Sequence, residues 1–310
     1  MEKTQQPLVF REDDFDRLPP PSQVDEAIVR RQTTYWKDVW RTFKKNRTAV
    51  ISLAAIALLI AMVLFGPMMN EYDYRTNDYS ALNQSPNAEH WFGTDNMGRD
   101  IFSRVLAGAG TTLLVASLTV CLGAAGGVAL GAVTGYFGGI ADDILMRLGD
   151  TLTAFPSMLL ALVIISLAGP GKESNVVLAL GLVFIPSFAR MARTAYAAAR
   201  ETNYVKAARL MGVSHGRILL VHILPNTLPV LLPALTIGFN NAVLAEASMS
   251  YLGIGVTPPD ASLGYMLSEA QGMFTRAPWY ALATGGVMIA LVFGVGLIGE
   301  GLQRRGGGVR

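Results

Sequence analysis

Residues 111–135 read Thr-Thr-Leu-Leu-Val-Ala-Ser-Leu-Thr-Val-Cys-Leu-Gly-Ala-Ala-Gly-Gly-Val-Ala-Leu-Gly-Ala-Val-Thr-Gly and contain no charged side chain. A helix needs about 20 mostly apolar residues to cross the hydrocarbon core of a bilayer. The stretch therefore predicts a transmembrane helix over Thr111–Gly135. The charge-free run that contains it, Val105–Ala141, is too long for one such helix, so we expect an interfacial lead-in before the span.

The same pattern recurs along the chain, in which 51% of the 310 residues are hydrophobic and 15% are charged. This balance favours a multi-span membrane protein over a soluble domain. The further charge-free stretches are Ala49–Met69, Thr151–Gly171, Ser174–Ala189, Ile218–Ala245 (interrupted only by His222) and Ala277–Gly299. We therefore expect an all-α, polytopic membrane protein with six transmembrane helices.

Basic side chains are distributed unevenly on the two sides of these spans. One side holds those of residues 30–47, 147, 190–217 and 304–310, and the other holds Arg75, Arg99, Arg104, Lys172 and Arg276. Because cytoplasmic loops carry the excess of Lys and Arg, both termini are expected in the cytoplasm of a multi-pass protein of the cell inner membrane. The net charge of +2 gives no indication of nucleic-acid binding.

The remaining segments divide the chain around the spans. Residues 1–33 are polar and proline-rich, which predicts a disordered cytoplasmic tail. In residues 34–47, aromatic residues at helical spacing alternate with basic ones, which predicts an interfacial helix or, alternatively, only the flank of the first span. The expected parts after these are the first span 48–69, an external loop 70–104, a core with five spans 105–303 and a cytoplasmic tail 304–310.

A ridge of glycines occupies every fourth position of the span over 111–135, at Gly123, Gly127, Gly131 and Gly135. Small residues at this spacing let the backbone of a neighbouring helix approach closely. We favour packing within one subunit as the explanation, with a seam between two subunits as the alternative.

The cytoplasmic segment 190–225 is predicted to form a compact projection. Tyr204–Met211 consists of good helix formers, and Gly212 suits a left-handed helix end. Ser214 can cap a second short helix, and Pro225 suits the first turn of the next span. Residues 204–225, called the knob below, would lie between two membrane helices and could transmit force between them and a soluble partner.

Within the knob, Lys206-Ala207-Ala208, Gly212 and Leu224-Pro225 resemble the Glu-Ala-Ala loop of ABC importer permeases. In that family this loop is the coupling helix that sits in a groove of the ATPase subunit. The ATPase-coupling residues that the resemblance implies are Tyr204, Val205, Lys206, Ala207, Ala208, Gly212, Leu224 and Pro225. Lys206 replaces the family's acid and His222 its isoleucine, which affects a salt bridge from position 206 rather than the docking itself.

Four other blocks are similar to the second permease of the dipeptide, oligopeptide and nickel importers. They are residues 92–104, 135–139, 146–150 and 246–259, and the resemblance covers about Tyr35 to Gln303. It implies the type I ABC importer permease fold, with peptides as the substrate and nickel or another metal chelate as the alternative.

The implied partners are a second homologous permease, two ATPase subunits or domains, an external solute-binding protein and membrane lipid. ATP and Mg would be bound by the ATPase subunits, so no cofactor is expected in this chain.

Other classes of function are less well supported by the residues. The sequence has no phosphate-binding loop, no His-Glu-x-x-His and no Gly-x-Ser-x-Gly, so a catalytic role is not expected. A gradient-driven secondary transporter would need ionisable residues near mid-membrane, whereas Glu246 and Glu300 lie near span ends. A membrane scaffold would not explain the knob.

Three residues of the external loop invite a metal site, namely His90, Asp95 and Asp100. Their spacing matches no compact ligand motif, and Asp95 or Asp100 could instead cap a helix that starts near Ile101, so we expect no metal ligands here. Glu246 has a similar choice between a substrate-facing acid and a structural hydrogen-bonding role. The sequence identifies no substrate-binding residues.

Overall fold

The computed structural model describes residues 40–41 and 43–303. The predicted tails 1–33 and 304–310 lie outside these residues, as does half of the predicted interfacial helix 34–47. The described part of that helix is helical, and the rings of Trp40 and Phe43 stack at 5.9 Å. The chain divides into two units after Lys45, and the helices described next belong to the second unit.

The second unit is built from helices, and the described residues contain no β-strand. In chain order the α-helices are α1 (Arg47–Met69), α2 (Ile101–Phe137), α3 (Gly139–Thr153), α4 (Ser157–Ala168), α5 (Glu173–Arg200), α6 (Asn203–Leu210), α7 (His215–Arg217), α8 (Leu224–Tyr251), α9 (Leu263–Gly272) and α10 (Pro278–Gln303). A π-helix, Ile218–Ile223, joins α7 to α8. The expected all-α fold is confirmed.

Five helical stretches of the described chain are long and apolar enough to cross a membrane. They are α1, α2, α5, α10 and the continuous run from His215 to Tyr251. α3 and α4 pass the same test together but are bent by 89°, so the number rises to six if they form one broken span. The six expected spans thus correspond to five unbroken helices and one bent pair.

α2 is longer than the predicted span and has no separate lead-in. Its 37 residues extend for about 55 Å at 1.5 Å per residue. Asp100 caps the start by accepting a hydrogen bond from the Ser103 N–H at 2.8 Å. Val105 and Ala109 are buried in a cluster with α9 and α10 residues, so the first turns have packing partners and the helix runs on without a break.

The predicted span over 151–171 is not one unbroken helix, because it lies across the bend between α3 and α4. α3 ends at Thr153, α4 begins at Ser157, and Pro156 lies between them. Proline has no N–H to donate and disfavours the helical conformation in the residue before it, here Phe155. The chain therefore turns sharply at this point, although the charge-free pattern runs through it.

The glycine ridge of α2 packs against α5 of the same chain. A Cβ atom built on Gly127 would lie 2.8 Å from the Ala189 nitrogen, and one on Gly131 would lie 2.3 Å from the Ala189 carbonyl oxygen. Only residues without a side chain permit this approach of two backbones. Packing within one subunit is therefore confirmed as the use of the ridge.

Two buried clusters lie at opposite ends of α2. Near Ile101, residues Leu263, Met266 and Tyr280 bring α9 and α10 against its first turns. Near Phe137, the cluster is formed by Ala132, Tyr136, Tyr196, Val205, Ala208, Ile218 and Ile223. The second cluster fastens the knob to the spans.

Candidate functional site

The knob is closed by a helix end of the predicted type. Gly212 follows α6 with φ +75°, in the left-handed region. Its N–H donates to the Arg209 carbonyl at 3.0 Å, and the Val213 N–H donates to the Ala208 carbonyl at 3.1 Å. This pair of bonds is the Schellman motif, which satisfies the last carbonyls of a helix.

The rest of the knob differs in part from the prediction. Ser214 occupies the N-cap position of α7, but its hydroxyl makes no capping hydrogen bond. Leu224 and Pro225 begin α8 as expected. The residues before them form a π-helix rather than a connecting turn, so the chain is continuously helical from His215 to Tyr251.

The implied coupling residues that belong to α6 fall on two faces of that helix. Val205 and Ala208 are buried against Tyr136, Tyr196 and Ile218, and Leu224 packs on the same cluster. Tyr204, Lys206 and Ala207 are exposed. The implied set therefore contains both anchors of the knob and residues on its open surface.

The sequence reasoning missed two side chains on that open surface. Leu210 is 89% exposed and Met211 is 75% exposed, directly before the turn at Gly212. Large apolar side chains that are left uncovered mark interaction surfaces. The signal in the sequence is the pair of large apolar residues between Arg209 and Gly212, at the end of a short helix.

One exposed charge of the knob, that of Lys206, is paired with an acid that precedes the knob. Lys206 Nζ lies 3.4 Å from Glu201 Oε2, and Arg200 Nε lies 3.0 Å from Glu201 Oε1. The hydrogen bond from Arg200, and secondly that from Lys206, holds the pKa of Glu201 below its usual range. Lys206 thus forms an ion pair with a glutamate that lies five residues earlier in the same chain.

A polar junction connects the knob to α2. The Arg209 Nε donates to the Tyr136 hydroxyl at 3.1 Å, and the same hydroxyl lies 2.8 Å from His215 Nδ1. The Arg209 guanidinium also lies 4.5 Å from the centre of the Tyr136 ring. Tyr136 belongs to the last turn of α2, so these contacts join the knob to the end of that span.

A cavity of about 1000 Å³ opens between α2, α3, α4, α5 and α8. Its wall is mostly apolar, and the bend at Pro156 contributes to it. Among the lining residues only Asp150 and Arg190 are charged, and Arg190 Nη2 lies 3.2 Å from Asp150 Oδ1. The helices that form this cavity include α2 and α5, to which the knob is attached.

Asp95 of the predicted external loop is engaged in a buried network. Asp95 Oδ2 lies 2.7 Å from Arg99 Nε and 2.6 Å from Arg104 Nη1. Glu269 of α9 lies 2.9 Å from Arg99 and 2.8 Å from Arg104. These contacts neutralise the Asp95 carboxylate with arginines rather than leaving it open to a cation.

Asp100 has the capping role that the sequence allowed. It accepts hydrogen bonds from Ser103 and Asn70, and His90 Nδ1 lies 3.0 Å from its other oxygen. In residues 40–41 and 43–303 no group of three or more His, Cys, Asp or Glu side chains is arranged to hold a metal ion. His90 and Asp100 therefore serve the start of α2.

Glu246 is fully buried and does not line the cavity. One carboxylate oxygen accepts from the Thr112 hydroxyl of α2 at 2.9 Å, and the other accepts from the Ser250 hydroxyl at 2.7 Å. The Ser250 oxygen in turn accepts the Val256 N–H at 3.0 Å. Of its two alternatives, the structural role is the one that these contacts support.

Known proteins are similar to this chain in sequence and in fold. A family profile described as binding-protein-dependent transport system inner membrane component matches residues 127–306. A second profile, the N-terminal transmembrane domain of oligopeptide transport permease C, matches residues 34–86. Together they cover both ends of the helical unit.

Curated relatives match over nearly their whole length. The dipeptide transport system permease protein DppC of Alkalihalophilus pseudofirmus is 36% identical, with 92% of each chain covered. The oligopeptide transport system permease protein OppC of Bacillus subtilis is 34% identical, with 90% of this chain and 91% of the relative covered. The glutathione transport system permease protein GsiD of Pectobacterium atrosepticum is 36% identical, with 87% and 90% covered.

A solved structure of the MetNI methionine ABC transporter in an inward-facing conformation shares the fold. The match has a TM-score of 0.55 at 21% identity and covers 65% of this chain and 95% of that chain. At this identity the likeness concerns the arrangement of the helices, which is that of a type I ABC importer permease.

Proposed function

This chain belongs to the family of binding-protein-dependent transport system inner membrane components, and from that premise we propose that it provides half of the peptide path of an ATP-driven importer. It is a multi-pass protein of the inner membrane and a transport permease rather than a catalytic subunit. The proposal extends this to the substrate, the partners and the way in which the chain is driven.

One observation carries the mechanism, namely that the knob and the cavity share α2 and α5. Tyr136 of α2 and Tyr196 of α5 both pack on the buried side of α6. Along the glycine ridge the same two helices are in backbone contact. A force applied to α6 is therefore transmitted through rigid contacts to the walls of the cavity, as coupling between two distant sites requires.

Peptides are the substrate class that the relatives favour. The three relatives described above are named for dipeptides, oligopeptides and glutathione, all of which contain peptide bonds. The alternative of nickel or another metal chelate receives no support from these names. The wide, mostly apolar cavity also suits peptides whose side chains vary.

We propose that the remaining parts of the machine are separate subunits. A second homologous permease would complete the path, two ATPase subunits or domains would bind ATP and Mg and hydrolyse the nucleotide, and an external protein would select the peptide. The exposed surface around Leu210 and Met211 is the part of the knob that would enter the ATPase groove. No cofactor is assigned to this chain.

The orientation follows from the charges. With residues 190–217 on the cytoplasmic side, both termini lie in the cytoplasm and the loop 70–104 lies outside. Closure of the ATPase dimer on ATP would draw the two knobs together and reopen the spans toward the outside, and release would reverse this. Bound ATP favours the arrangement that is open to the outside, and its release favours the one that is open to the cytoplasm. Transport then follows from shifts between these two arrangements of the spans.

The decisive experiment is reconstitution in liposomes. The chain is inserted alone, and in parallel together with its second permease, ATPase subunits and solute-binding protein, and uptake of a labelled library of di- to hexapeptides is measured with and without ATP. We expect ATP-dependent uptake only in the complete assembly. Uptake by the lone chain, or uptake of a nickel chelate but of no peptide, would contradict the proposal.

A further inference from the structure

The cavity contains an ion pair between two helices that a second, shorter ion pair also joins. Two acid–arginine pairs join α3 to α5, namely Asp142 with Arg193 and Asp150 with Arg190. In the first, Arg193 Nε donates to one Asp142 carboxylate oxygen and Arg193 Nη2 to the other, each at 2.6 Å, and Asp142 is buried. This bidentate pair already ties the two helices.

The second pair is looser and faces the cavity. Arg190 Nη2 makes one contact of 3.2 Å to Asp150, and it is 3.4 Å from the Thr153 hydroxyl. The side chains remain 56% and 66% exposed, respectively. A pair that is held by one long contact and is open on both sides contributes little to stability, so its groups can exchange partners at small cost.

We propose that Asp150 and Arg190 form a transient binding site for the charged main-chain ends of peptide substrates. The inference rests on the proposed function and names the groups that would recognise its substrate. Arg190 receives the terminal carboxylate, because a guanidinium fork matches the two oxygens of a carboxylate. Asp150 receives the terminal ammonium group.

The geometry of the cavity suits this role. A dipeptide in extended form spans about 7 Å, so Asp150 and Arg190 have to swing apart from their 3.2 Å contact to hold its two ends. Their exposed side chains have room to do so in a cavity of about 1000 Å³. Leu148, Phe155 and Leu182 contribute apolar surface to the same cavity, which favours no particular peptide side chain. Every free peptide carries the same two charged ends, so a site for the ends accepts many sequences.

A weak site is what a transport path requires. Binding has to be favourable enough for entry and weak enough for release. When no peptide is present, Asp150 and Arg190 neutralise each other, so neither charge is left alone beside an apolar wall. When a peptide arrives, each charge gains a new partner while the loose contact between them is given up.

The test uses the complete reconstituted complex and the best-transported member of the peptide library in three forms. These are the free peptide, its C-terminal amide and its N-acetyl derivative. The variants are Arg190→Gln, Arg190→Lys and Asp150→Asn. Matched controls are Arg147→Gln and Asp143→Asn, which remove the same charges from α3 at exposed positions outside the cavity lining.

The readout is the initial uptake rate below saturation. For each form of the peptide, the rate of a variant complex is divided by that of the unchanged complex. The same solute-binding protein is used throughout, so its own selectivity cancels in this ratio. We expect Arg190→Gln to lower uptake of the free peptide about fivefold, and that of the amide by less than about twofold. Arg190→Lys should fall between Arg190→Gln and the unchanged chain. Asp150→Asn should lower uptake of the free peptide and leave uptake of the acetylated form nearly unchanged. Both controls should resemble the unchanged complex.

The possible outcomes separate this inference from the function on which it rests. If Arg190→Gln lowers the uptake of all three forms alike, the pair has a structural role and the inference is wrong. Equal rates in every variant would overturn it too. If the unchanged complex moves no peptide, the proposed function fails first and the inference falls with it.

Discussion

The two ends of α2 are held by different kinds of contact. At the Ile101 end, Arg104 and Asp95 are 3% and 0% exposed and belong to a network that includes Glu269 and Tyr280. At the Phe137 end, Tyr136 meets the knob, whose charged groups are mostly open to solvent. One end is a buried clamp, and the other is a packed joint with an exposed outer surface.

This difference suits a helix that is held at one end and can be moved at the other, and we call α2 a lever in this sense. Removing one partner from a buried charge network leaves the others without compensation, which keeps the clamp in one arrangement. Exposed ion pairs are weak and can rearrange. The proposed outer end of α2 is therefore the fixed point, and the proposed cytoplasmic end is the part that can be moved by a partner. The predictions below test this division from its strongest contact to its weakest.

The largest effect is expected in the clamp. Asp95→Asn leaves Arg99 and Arg104 with less than their full compensation and should destabilise the fold by about 3 kcal/mol. Thermal unfolding of the purified chain in detergent measures this as a lower Tm. The control is Arg75→Gln, which breaks an exposed pair with Asp260 in the same part of the molecule and should leave Tm nearly unchanged. Equal Tm values for the two variants would show that the network is not a clamp.

The middle of the lever depends on the glycine ridge. Gly131→Leu places side-chain atoms where the Ala189 carbonyl and the Ala192 Cβ now lie, at 2.3 and 2.7 Å from the added Cβ. We expect about 2 kcal/mol of destabilisation, because overpacking forces α2 away from α5. The yield of assembled complex should fall with it.

Gly286→Ala is the matched control for the ridge, since a Cβ at that position of α10 meets no atom within 4 Å. It should assemble normally. Normal assembly of Gly131→Leu as well would mean that α2 and α5 are not held by this backbone contact.

At the joint, Gly212→Val should uncouple transport more than it unfolds the chain. A β-branched residue at φ +75° is strained by about 1–2 kcal/mol, although a Cβ there meets no neighbouring atom. The strain distorts the turn behind Leu210 and Met211, so substrate-stimulated ATPase of the assembled complex should drop. Gly216→Ala, a helical glycine of α7 with open space around it, is the control. Unchanged stimulation with unchanged assembly would refute the assignment of the knob.

The smallest effect is expected from the exposed charges of the knob. The pKa of Glu201 is lowered by Arg200 and Lys206, so the stabilisation from these pairs is present above the ordinary carboxyl pKa and is lost only as the pH falls through the lowered value. ATPase stimulation should therefore be insensitive to Glu201 between about pH 5 and 8.

Lys206→Gln removes one of the two partners of Glu201 and should change stimulation little at neutral pH. A profile of ATPase stimulation against pH for this variant and the unchanged complex provides the measurement. A large loss at pH 7 would show instead that Lys206 binds the ATPase partner directly.

The sequence by itself determined the membrane class, the family and the turn at Gly212. Charge-free runs of about 20 residues leave a chain few options other than spanning a bilayer as helices. The turn after α6 needs a residue that tolerates positive φ. A glycine directly after good helix formers therefore predicts this turn from the local sequence. The capping bond at Asp100 is equally local, because it joins residues three positions apart.

Only the tertiary structure decided which residues meet across long separations in the chain. Hydrophobic runs do not reveal that α3 and α4 are bent by 89°, that Arg104 lies against Glu269, or that Tyr136 reaches Arg209. Hydropathy counts only how much a segment prefers lipid, whereas a bend or an ion pair depends on the neighbours that packing supplies. The same holds for Asp150 and Arg190, two ordinary charges in the sequence that the fold brings together inside a cavity.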